Sequence, residues 1–169
     1  MWIPLSFDEF LPEKKNYNSL LDRSFMNPYL SSVKAIWKKG LSKNCKFYIG
    51  VSLTRKVPFN FYNEVGATYP RVYEPVAFEI IGRGRGVEPS IRNVYLNSGP
   101  QMLLPFDLAG YDNFDLVNRT LLATSSFPLA FPPEKLDYCF SSGKEECLLS
   151  DIRSDYFVDG GVYNNSPLD

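Results

Sequence analysis

Three observations predict an α/β fold in which a mostly parallel sheet is flanked by helices. The run Lys46-Phe47-Tyr48-Ile49-Gly50-Val51-Ser52-Leu53-Thr54 is apolar almost throughout, as expected of a strand buried on both faces. Near the end of the chain, Tyr156-Phe157-Val158 runs into Asp159-Gly160-Gly161 and then into Asn164-Asn165-Ser166-Pro167. That order reads as strand, tight turn and helix opening. Between Asn27 and Gly40 the apolar positions Tyr29, Leu30, Val33, Ile36 and Trp37 recur at helical spacing. This predicts an amphipathic helix over 28–39.

Taken in order, residues 1–26 hold Pro4, Pro12 and mixed charges without a sustained period, an irregular lead-in. The first helix has Asn27 as its cap, Pro28 at its first position, Lys38 and Lys39 in its last turn and Gly40 as its stop. Its apolar stripe should pack on the sheet. After the central strand, Val57 to Phe61, Val72 to Ile81 and Asn93 to Leu96 read as further, peripheral strands, with Pro75 marking an edge or a bulge. The turn Gly82-Arg83-Gly84-Arg85-Gly86 resembles a phosphate-cradling loop but lacks the Lys-Ser/Thr ending and a following helix. It reads as a flexible basic turn that could touch an anionic head group. A second helix, over 115–126, is capped by Asp112 or Asn113 and presents Leu116, Val117, Thr120, Leu121 and Thr124 inward. Phe127-Pro128 ends it. A loop through Leu129 to Pro133 and a polar insertion at Ser141 to Glu146 lead to the last strand.

At 169 residues, with 44% hydrophobic and 22% charged residues, the chain is one domain or part of one. A formal net charge of -1 argues against a nucleic-acid surface. No stretch approaches the ~18 apolar residues of a membrane span, and the amino terminus carries Asp8 and Glu9 in place of a basic leader. The expected location is the cytoplasm or a membrane surface. The chain has no histidine, which removes the usual general base, any Ser-His-Asp triad and the commonest metal ligand. Cys139 and Cys147 alone are near enough to close a short loop, but three sparse cysteines read as free thiols in a reducing compartment. The two Asn-x-Ser/Thr patterns, at Asn118 and Asn164, fall in a helix and before a proline and read as chance.

The chemistry points to Asp159. An acidic residue at a strand's carboxyl end sits where open α/β sheets place their active groups, and Gly160 and Gly161 let backbone approach closely. Asp before Gly-Gly also serves simply to satisfy turn amides. A second motif, Ala123-Thr124-Ser125-Ser126-Phe127-Pro128-Leu129-Ala130-Phe131-Pro132-Pro133, precedes it by about thirty residues. In this order the two resemble the patatin-like phospholipase family, and Lys46 to Phe59 is similar to the strand that precedes them there. The resemblance covers residues 41–169 and is strongest from 120 onward.

The resemblance implies a three-layer α/β/α sandwich and a lipid acyl hydrolase, a phospholipase or esterase, that uses a Ser-Asp dyad. It needs neither cofactor nor metal. Asp159 maps onto the dyad aspartate, with Gly160 and Gly161 as its supporting turn. It would deprotonate a serine that attacks an acyl ester and forms an acyl-enzyme. The family's serine stands on a Gly-x-Ser-x-Gly elbow preceded by a glycine-rich oxyanion loop, and neither occurs here. Only Ser52 has glycine two residues before it, and Thr54 stands two after. The expectation is therefore a single partial domain over 1–169, its amino-terminal strands and nucleophile missing, inactive by itself. Its implied partners are a phospholipid or acyl ester, a peripheral membrane surface and the missing amino-terminal part. The alternative is a non-catalytic lipid-binding or scaffold remnant of the same fold.

Overall fold

The computed structural model describes residue 11 and residues 20–55, 73–96, 100–127, 130–141 and 147–162. The strand expected at Val57 to Phe61 and the helix opening at Asn165 to Pro167 lie outside them. Six strands form one sheet in the order β3-β2-β1-β6-β5-β4. They are β1 Lys46–Arg55, β2 Tyr73–Ile81, β3 Ser90–Asn93, β4 Met102–Leu103, β5 Glu134–Phe140 and β6 Arg153–Asp159. Two α-helices accompany them among the described residues, α1 Asn27–Lys38 and α2 Asn113–Thr124.

Every strand pair is antiparallel, which overturns the mostly parallel three-layer sandwich expected from the sequence. The strands at Phe47 to Leu53 and Tyr156 to Val158 are neighbours as expected, with Leu53 opposite Asp159 and Arg55 opposite Phe157, but they run in opposite directions. The connections explain why. β2 and β3 are joined by residues 82–89, too short for the crossover of about a dozen residues that a parallel pair requires. The sheet also curls until its outer strands meet, giving a nearly closed, barrel-like form. Asn93 donates to the Leu104 carbonyl (2.9 Å) and accepts from its N–H (3.0 Å). Gln101 donates to the Val94 carbonyl and accepts from Leu96 N–H, both at 2.8 Å. Two side-chain amides thus satisfy backbone groups that an open edge would leave to solvent.

The interior is filled by alternate residues of the strands: Leu53, Val76, Phe78, Leu136, Tyr138 and Phe157 form one core with Met102 and Leu104. Each such side chain contributes about 1.5–3 kcal/mol on burial. The Tyr138 ring meets Phe157 and Phe140 edge-on at centroid distances of 5.5 and 5.4 Å. α2 lies across β1, β5 and β6 and adds Val117 and Ala123 to this core. Asp112 caps it, accepting from Asp115 N–H at 3.1 Å. Leu121, expected inward, is exposed, and Phe114 and Ala123 are buried in its stead.

α1 begins at Asn27 as the sequence suggests, but Met26 occupies the cap position and Asn27 is already helical. None of its residues is fully buried. Trp37 meets Phe114 edge-on at 5.6 Å, and the Lys34 ammonium reaches Asp112 and Asp115 at 2.9 Å each. The helix therefore rests on α2's amino-terminal turn, and Tyr29, Val33 and Ile36 face solvent, not the sheet. Pro75 lies inside β2, a strand with neighbours on both sides, yet β3 covers only Phe78 to Ile81. At Pro75 the strand is locally an edge and its missing N–H costs no ladder bond. The third strand is Ser90–Asn93, earlier than the expected Asn93 to Leu96, and β4 and β5 were not expected. Cys139 and Cys147 are joined by a disulfide and buried against Leu103 and Ile152, which corrects the free-thiol expectation for this pair. Cys45 remains free.

A charged cluster closes one end of the interior. Arg55 lies 3.7 Å from Glu74 and 3.8 Å from Asp155, and Tyr138 donates to Asp155 at 2.6 Å. Buried carboxylates persist only with such compensation. Burial, and then the Asp155 carboxylate, push the Tyr138 phenol from 10.0 up to about 12. Because the folded value is raised, Tyr138 stabilises the fold fully below pH 10.0 and loses that contribution as pH rises towards about 12. A pH-jump titration of phenolate absorbance should show a late step near pH 12 that Tyr138→Phe removes. A late step that survives the substitution would assign the shift to another residue.

Candidate functional site

The last residue of β6 is Asp159, followed by a 3₁₀ turn over Gly160–Val162. Asp159 faces the side of the sheet that carries Phe157 and Leu53, half-buried. Its backbone N–H leaves the ladder and donates to the Ser126 carbonyl at 3.1 Å. The two sequence motifs are thereby in direct contact. Its carboxylate Oδ1 accepts from Gly161 N–H at 2.8 Å, an Asx turn of the kind expected for Asp before glycine. Gly160 is buried against β1, where a Cβ would stand 2.4 Å from the Ser52 carbonyl carbon and Cβ. Only glycine fits that approach.

Ser126 is itself held from the lead-in segment. Arg23 donates to the Ser126 hydroxyl from both terminal nitrogens (3.2 Å each), to the Leu122 carbonyl (3.0 Å) and to the Ser125 carbonyl (2.7 Å). Its guanidinium also stacks over the Phe131 ring at 4.3 Å and lies 3.6 Å from Glu134. A cation at this position satisfies orphan carbonyls of α2 and complements its dipole. Burial pushes the Glu134 carboxyl above its ordinary value, with Arg23 and Arg119 pulling the other way. Burial likewise lowers the Arg23 guanidinium, against the attraction of Glu134. No motif or periodicity marked Arg23, which lies in a segment without period. Beside it opens a cavity of about 250 Å³ walled by Arg23, Met26, Leu30, Leu122, Pro132 and Glu134, with Asp159 not on its wall.

Among the described residues, the hydroxyls of Ser52, Ser125 and Ser126 are engaged elsewhere. Ser52 pairs with the Tyr73 hydroxyl at 3.1 Å, Ser125 donates to the Leu122 carbonyl at 3.0 Å, and Ser126 donates to the same carbonyl at 2.9 Å. Ser52 is a buried strand residue, as its sequence context indicated. Among the described residues the hydrogen bond made to the Asp159 carboxylate comes from Gly161, and no group of three metal-ligating side chains occurs. The amides of the Gly-Arg turn are likewise spent. Gly82, Gly84 and Gly86 donate to the carbonyls of Cys45, Leu41 and Lys39 at 2.8, 3.0 and 2.8 Å.

A family model described as Patatin-like phospholipase matches residues 13–169. The chain belongs to the patatin-like phospholipase family. No curated protein and no solved structure matches it. In this patatin-like chain the contact between Ser126 and Asp159 joins the two segments on which the family resemblance rests. Lipid acyl hydrolysis is the chemical theme of the family. Among the described residues no helix is long and apolar enough to cross a membrane.

The close approach of Gly160 to Ser52 generates a test. Gly160→Ala should cost about 1–3 kcal/mol through overpacking, lowering the melting temperature by roughly 2–4 °C per kcal/mol for a chain of this size. Thermal unfolding followed by circular dichroism measures it. An unchanged melting temperature would mean that β1 and the Asp159 turn are not in contact.

Proposed function

We propose that this chain contributes the aspartate of a Ser-Asp dyad in a lipid acyl hydrolase, with the serine, its elbow and the oxyanion donors supplied by sequence outside these 169 residues. Asp159 takes the proton of the serine hydroxyl as that oxygen attacks an ester carbonyl. It returns the proton to the departing alcohol, and the cycle repeats with water on the acyl-enzyme. Gly161 holds the carboxylate orientation through its N–H. The substrate is a phospholipid or other acyl ester met at a membrane surface. The observation that carries this reading is the bond from Asp159 N–H to the Ser126 carbonyl, which unites both motif segments at a half-buried carboxylate.

One observation favours a second reading, a non-catalytic lipid-binding or scaffold remnant: the Asp159 carboxylate already satisfies a turn amide, and no hydroxyl approaches it among the described residues. Kinetics separate the two. The 169-residue chain alone should show no ester turnover above background, since it lacks the elbow and the oxyanion donors. In a longer gene product that carries Gly-x-Ser-x-Gly, Asp159→Asn should lower turnover by at least ~10² to 10⁴ with the melting temperature nearly kept. Full turnover by that variant would remove the dyad assignment, whereas a longer gene product with no turnover at all would leave the remnant reading standing.

A further inference from the structure

The exposed stripe of α1 continues beyond the helix. Tyr29, Val33 and Ile36 lie at i, i+4 and i+7, and the next position on that line is Gly40. Gly40 adopts φ +82° and abuts the Gly-Arg turn so closely that a Cβ there would stand 2.2 Å from the Gly84 carbonyl oxygen and 2.5 Å from that of Val87. Val87, itself exposed, thus extends the apolar line formed by Tyr29, Val33 and Ile36. Around it the segments 34–46 and 82–88 carry seven cationic side chains and one acid, Glu88. Lys34 is occupied by Asp112 and Asp115. The other six, Lys38, Lys39, Lys43, Lys46, Arg83 and Arg85, are exposed and form no ion pair among the described residues.

In a chain of net charge -1, this is a local excess of positive charge beside uncovered aliphatic and aromatic groups. The turn's amides are consumed by the carbonyls of Lys39, Leu41 and Cys45, which fixes its backbone and leaves the two arginines directed to solvent. An apolar line bordered by cations matches the boundary between headgroups and acyl chains in an anionic bilayer. We infer that this face docks the protein on an anionic lipid surface, Tyr29, Val33, Ile36 and Val87 entering the headgroup boundary while the flanking cations meet the lipid charges. The inference builds on the lipid-hydrolase reading, and its test measures binding without hydrolysis so that each can fail alone.

The 169-residue chain is sedimented with vesicles of phosphatidylcholine alone and of phosphatidylcholine with phosphatidylserine. Binding should require the anionic lipid and weaken with added salt. Replacing Arg83 and Arg85 together by alanine should lower partition by about 25-fold, roughly fivefold per charge. Ile36→Ser should lower it severalfold, and Asp159→Asn should leave it unchanged. Equal partition to both vesicles, or full binding by the Arg83 and Arg85 variant, would overturn the inference. So would a dimer on gel filtration that Ile36→Ser converts to monomer without loss of vesicle binding, because a second copy would then cover the stripe.

Discussion

The carboxyl-terminal end of α2 is the point on which the arrangement around Asp159 depends. An α-helix ends with carbonyls that its own ladder cannot satisfy, and here they face inward, beside β5 and β6. Arg23 donates to the carbonyl of Leu122, which also accepts from Ser125 N–H, and to that of the cap residue Ser125, and Asp159 N–H donates to the carbonyl of Ser126 just past the cap. One arginine from before α1 and one amide from the end of β6 thereby fix the same helix end. Asp159 is the last β6 residue paired with β1, opposite Leu53, and the chain then turns through Gly160 over Ser52. Lysine could not replace Arg23, because its single ammonium cannot span both carbonyls and the Ser126 hydroxyl.

Much of this was legible in the sequence, and the failures have physical causes. Both helices fall within a residue or two of their expected bounds, because caps, proline and helical spacing are local signals. The apolar run Lys46 to Thr54, expected to be buried on both faces, is buried only from Val51 to Thr54, while Phe47 and Tyr48 are exposed. An apolar run reports burial and says nothing about the direction of its neighbours, so the parallel assignment rested on analogy. The brevity of residues 82–89 was the available signal against it. β5 could have been found from Leu136, Tyr138 and Phe140 alternating with Lys135 and Asp137, whereas the two residues of β4 carry no pattern.

The disulfide and the exposed stripe of α1 show two ways in which composition misleads. Three cysteines in a chain of this length argue for thiols on average, yet the geometry of one hairpin decides the outcome. β5 pairs with β6, and Cys147 lies against Cys139 of β5 with a Cα separation of 5.7 Å. In α1 the period was right and the partner wrong. Trp37 and Lys34 seat the helix on α2 by one side, and the line through Tyr29, Val33 and Ile36 lies nearly a quarter-turn away.

The bond from Gly161 to the Asp159 carboxylate bears on both readings of the site and excludes neither. An ionised carboxylate offers about four lone-pair directions on two oxygens, and the turn amide uses one direction, on Oδ1. What remains can accept a hydroxyl, and an oxygen pinned by a backbone N–H swings less than a free side chain would. Holding a weak base in one orientation matters more than holding a strong one, since its rate contribution comes from contact at the moment of proton transfer. In the proposed dyad, the same bond that makes Asp159 a turn residue would also position it as a base. What distinguishes catalysis from scaffolding is whether a serine hydroxyl arrives within hydrogen-bond reach of the second oxygen. That condition falls on the partner group; Asp159 itself is half-buried and bonded through its N–H to the other motif segment.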